Sequence, residues 1–80
     1  MNIKHFSIKN LCFVETEINL KEIDYFGTIQ NSGFIKMKSG EIIDYVENPF
    51  IILLVRILKS NNIKSQRKNC GNISIFFIIK

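Results

Sequence analysis

The chain has 80 residues, 46% of them hydrophobic and 22% charged, with a net charge of +4. That length holds a single small domain, residues 1–80, and its apolar content excludes wholesale disorder. No apolar run approaches the ~20 residues of a membrane-spanning helix, so no membrane span is expected.

The N-terminal part leans towards strand. Cys12, Val14, Thr16, Ile18 and Leu20 alternate with Phe13, Glu15, Glu17 and Asn19. This period of two puts Glu15 and Glu17 on one face. Phe6, Ile8 and Leu11 fall outside that register, so a bulge or break near Asn10 is expected, giving one bent strand or two short ones.

Residues 25–30, 34–38 and 41–47 are three further strand candidates. Asn31-Ser32-Gly33 and Lys38-Ser39-Gly40 separate them, each with glycine last, as a three-residue hairpin loop requires when its final residue is left-handed. Ile35 and Met37 oppose Phe34, Lys36 and Lys38, and Ile43 and Tyr45 oppose Ile42, Asp44 and Val46. The pattern predicts a three-stranded antiparallel meander.

Asn48-Pro49 then predicts a helix start, with the Asn48 side chain capping and Pro49 giving up an amide that has no partner there. The helix should end near Ser60 or Asn61. Phe50, Leu53, Leu54, Ile57 and Leu58 form an apolar face that Ile51, Ile52 and Val55 extend, so burial is expected nearly all round. Arg56 and Lys59 mark the solvent side. The β-branched content makes a short buried strand the competing reading. Residues 61–72 read as a polar, basic loop with Ile63 anchored to the core. Residues 73–79 read as a last strand, interior or paired with the first, because an unpaired Ile-Phe-Phe-Ile-Ile run invites aggregation. The fold expected is α+β: a small antiparallel sheet, a meander plus N- and C-terminal strands, packed against one apolar helix.

Reactive chemistry is sparse. The four glycines are too scattered for a phosphate loop. His5 stands alone, Glu15 and Glu17 have the pattern of a solvated strand face, and Ser60, Ser65 and Ser74 have no base placed by sequence. No catalytic residue, cofactor or metal site is expected. Cys12 and Cys70 have no metal-ligand spacing. They read as free buried thiols of a cytoplasmic protein, with a disulfide the alternative.

Three features remain for function. Residues 48–80 carry six cations and no acid. Of these, Lys59, Lys64, Arg67 and Lys68 lie between amide side chains of the kind that contact phosphates or an acidic surface. Phe34 shares its face with Lys36 and Lys38, a stacking-plus-charge site if that face is bare. Finally, one sheet and one helix leave apolar surface to spare, which self-association as a homodimer or a protein partner would bury. Glu15 and Glu17 offer such a partner an acidic patch. Heavy use of Ile, Asn, Lys and Phe without Ala points to AT-rich coding, in keeping with a small phage or mobile-element gene. The expected function is therefore a non-enzymatic interaction protein, an inhibitor or adaptor. A nucleic-acid-binding protein using residues 59–68 is the alternative.

Overall fold

The computed structural model of the protein describes residues 1–79; Lys80, one of the C-terminal cations, lies outside the described residues. Seven strands form one sheet: β1 (Asn2–Ser7), β2 (Cys12–Glu17), β3 (Ile23–Ile29), β4 (Ser32–Met37), β5 (Ile42–Glu47), β6 (Ser65–Cys70) and β7 (Ile73–Ile78). Their spatial order is β2-β1-β5-β4-β3-β7-β6, antiparallel throughout. One helix, α1 (Asn48–Ser60), leaves β5 and crosses a single face of the sheet. It packs against β3, β4 and β5. The expected α+β architecture is the observed one, with the meander at its centre and β7 interior, between β3 and β6.

The core is the interface between α1 and the sheet. Ile51, Leu54 and Leu58, spaced to lie along one side of the helix, are buried against Ile3, Ile23, Phe26, Ile35, Ile43 and Val46. Each such side chain contributes about 1.5–3 kcal/mol. Contrary to the nearly all-round burial expected from its composition, the helix is covered on one side only: Ile52 is 59% and Leu53 44% exposed. Nor does Asn48 cap it. Glu47 occupies the cap position without a side-chain hydrogen bond, and the buried Asn48 Oδ1 has no partner. The start is held by Pro49 and by packing.

The helix end is better made. Asn62, at φ 59°, takes the left-handed position. Its N–H donates to the Lys59 carbonyl (3.1 Å) and that of Ile63 to the Leu58 carbonyl (2.9 Å). Ile63 packs onto the core, completing a Schellman motif with its apolar contact. Asn62→Gly removes the Cβ penalty at that φ, and should raise stability by about 0.5–1 kcal/mol in urea unfolding.

Of the two readings of the N-terminal part, two short strands is the observed one, with the break in residues 8–11 and Leu11 at φ 54°. Three local expectations are corrected. The first meander turn is the pair Gln30-Asn31, not Asn31-Ser32-Gly33. Gly33 instead lies inside β4, buried where a Cβ would meet the Val46 carbonyl oxygen at 2.8 Å. The Lys38-Ser39-Gly40 turn stands as expected, with Gly40 at φ 98°. Where β4 pairs with β5 the register slips, Gly33 lying opposite Val46 but Ile35 opposite Ile43, and Tyr45 of β5 adopts φ 56°. This bulge turns Val46 inward and Tyr45 outward, reversing their expected sides. Finally, residues 65–70 are strand, not loop, and pair with β7 as the sheet edge.

Candidate functional site

Since α1 covers only one side, the other side of the sheet is bare among the described residues. Its centre is a row of rings on three adjacent strands. Phe34 and Tyr25 meet edge to face at 6.3 Å, and Tyr25 and Phe77 lie 5.8 Å apart. Strand pairing fixes the row: Phe34 and Ile75 lie opposite Gly27, and Tyr25 opposite both Lys36 and Phe77. Ile29, Ile42 and Ile73, 36–55% exposed, widen it. Lys68 Nζ sits 5.7 Å from the Phe77 ring centroid. Towards the other edge Phe6 contacts Phe13 at 5.4 Å and Tyr45 at 6.5 Å. Seven strands, spaced ~4.8 Å and about six residues long, give this face roughly 600–700 Å². That is near the ~800 Å² per partner of a standard protein interface.

The helix side holds a second feature. Beyond the edge of α1 the inner faces of β7 and β6 are only partly covered, with Phe76 and Ile78 half-buried, leaving two adjoining hollows of about 500 and 670 Å³ that share Val55, Arg67 and Phe76. The Arg67 guanidinium lies 5.6 Å from the Phe76 ring. Its Nε donates to Asn69 Oδ1 (3.0 Å), and one terminal nitrogen donates to Ser74 Oγ (3.3 Å). Ser74 Oγ in turn donates to Asn69 Oδ1 (2.7 Å). Arg56, Lys59 and Lys64 also line the hollows, and no acid does.

The residues singled out in sequence are thus distributed over four places. Lys59, Lys64 and Arg67 come together around the helix-side groove. Lys68 alternates to the opposite face, where it joins Phe34 and Lys36. Residues 59–68 therefore do not make one basic loop. Lys38 lies in the β4–β5 turn, on neither surface. Glu15 and Glu17 are exposed on edge strand β2, at the far end of the sheet from β6, with Glu15 opposite Lys4. Tyr25, Phe77 and Arg56 belong to these surfaces without having been singled out as site residues. For Tyr25 and Phe77 the sequence holds no signal of this, since both sides of their strands are apolar.

Other polar groups stand apart. His5 Nε2 lies 2.8 Å from Thr16 Oγ1. Cys12 and Cys70 are exposed, not buried, and free. They sit on opposite edge strands, which rules out the disulfide alternative within one chain. Among the described residues, no three of His, Cys, Asp and Glu gather where a metal ion could be held, and no helix is long and apolar enough to cross a membrane. No protein-family model, curated protein or solved structure matches the chain.

Proposed function

We propose that the protein is a non-enzymatic binding module, an inhibitor or adaptor, whose partner is another protein. The contact surface is the sheet face turned away from α1. The observation that carries this reading is the continuous row Phe34–Tyr25–Phe77 on that face, surrounded by exposed isoleucines. Large exposed apolar patches mark interaction sites, and aromatic side chains at their centre supply most of the binding energy. A protein fits better than nucleic acid because the surrounding charges are mixed. Glu15, Glu17 and Glu47 are exposed alongside Lys4 and Lys68, with Lys36 half-buried, and the acids repel phosphates. The same reading keeps the chain in the cytoplasm, where the exposed thiols of Cys12 and Cys70 stay reduced.

The test is capture from an extract of the source cells with tagged wild type and with Tyr25→Glu/Phe77→Glu, alongside sedimentation of each. A stoichiometric protein or a second copy that the wild type holds and the variant loses supports the reading. Single-stranded oligonucleotide binding that is lost in the same variant would replace it with a nucleic-acid platform. A monomer that captures no protein would overturn it.

A further inference from the structure

The helix-side groove differs in chemistry from the bare face and points to a different occupant. We infer that it takes an acidic amphipathic helix of a partner protein, lying beside α1 on the same side of the sheet.

Shape comes first. α1 packs over β3, β4 and β5, while β7 and β6 continue the sheet beyond it, with Phe76 and Ile78 only partly buried against the core. Two strands at ~4.8 Å spacing leave a strip about 10 Å wide. A helix with side chains is about 10 Å across, and helices pack 8–10 Å apart. The strip thus has room for one helix adjacent to α1. Apart from the single turn at Leu20–Glu22, the described residues contain no second helix that could fill it.

Chemistry selects which helix. The floor is apolar, from Ile52 and Val55 of α1 and Phe76 of β7. The walls carry Arg56, Lys59, Lys64 and Arg67. A helix with leucines on one stripe and glutamates beside it matches both at once. Arg67 is the anchor. Asn69 and Ser74 hold its guanidinium above Phe76 and use only Nε and one terminal nitrogen. Its other terminal nitrogen remains as a donor for an incoming carboxylate. A cation held in place before binding loses less side-chain entropy when the contact forms. This groove lies across the sheet from Lys68, so the inference stands independently of the bare face.

The experiment uses a fluorescein-labelled synthetic helix of 14 residues, with leucine at positions 1, 4, 8 and 11 and glutamate flanking them. Two companion peptides replace every Glu by Lys, or every Leu by Ser. Fluorescence anisotropy with the full chain should show saturable, salt-weakened binding of the Glu/Leu peptide alone. Arg67→Ala should weaken it by roughly tenfold or more. Lys68→Ala, on the same strand but the other face, and Tyr25→Glu/Phe77→Glu should leave it within about twofold. Circular dichroism of each variant checks that the sheet is kept, and Arg56→Ala repeats the test from the helix should Arg67→Ala unfold. Equal binding of the Lys peptide, an equal loss with Lys68→Ala, or a duplex oligonucleotide binding the groove where the peptide does not would each overturn the inference.

Discussion

Phe26→Ala should leave most of the chain unfolded at 25 °C. Phe26 is fully buried on β3, beneath α1, and its ring stacks on Phe76 at 5.0 Å and 7°. Truncating a buried phenylalanine costs about 3–5 kcal/mol, and a stacked pair adds roughly 0.5–1.5 kcal/mol. A domain of 80 residues has only about 4–12 kcal/mol in total. The loss is therefore comparable with the whole stability. Urea denaturation of Phe26→Leu, which keeps most of the volume, should show a folded protein weakened by about 1–2 kcal/mol. If Phe26→Ala lowered the unfolding free energy by less than about 1.5 kcal/mol, Phe26 would not be the pillar joining helix, meander and β7.

The second large effect is on binding. Tyr25→Glu/Phe77→Glu should weaken the captured partner by on the order of 100-fold or more, since central aromatic contacts dominate interface energy and a buried unpaired carboxylate opposes it further. The fold should survive. Phe77 is 39% exposed, and neither ring belongs to the cluster under α1. The expected loss of stability is about 1–2 kcal/mol, from the Tyr25–Phe77 contact and lost packing. Thermal unfolding followed by circular dichroism separates the two effects: a native-like transition with no partner retained is the predicted combination. Phe77→Leu should keep both.

Why some of this was readable in the residues and some was not follows from where burial occurs. β4 alternates Gly33, Ile35 and Met37 against Phe34 and Lys36 because one side meets α1 and the other meets water, so its faces were plain. β6 gave no strand signal for the same reason reversed. It is an edge strand, α1 does not reach it, and Ser-Gln-Arg-Lys-Asn-Cys has no apolar side to advertise. The two turns ending in Ser-Gly look alike in sequence, yet only Gly40 sits in one. Gly33 is needed for the close approach of β5 and α1, which is a tertiary demand. The bulge at Tyr45 carries no glycine to announce its left-handed residue. The candidate surfaces suffered most, because β3 and β7 are apolar on both sides. Nothing local says which side the helix covers, and hence whether Phe26 and Phe76 or Tyr25 and Phe77 face water. The same parity separates Arg67 from Lys68, neighbours in sequence that serve opposite surfaces.

The sheet stands between the two proposed surfaces, so the proposed adaptor role would let both be occupied together. The bare face is the central element of this picture, and hydroxyl-radical footprinting reads it directly. In dilute buffer, Tyr25, Phe34, Ile73 and Phe77 should oxidise readily while Phe26, Leu54 and Leu58 do not. In concentrated extract of the source cells, or at high concentration of the chain itself if a second copy is the partner, the first group should become protected. Oxidation of Tyr25, Phe34, Ile73 and Phe77 that stayed equally high under all three conditions would contradict a binding role for this face.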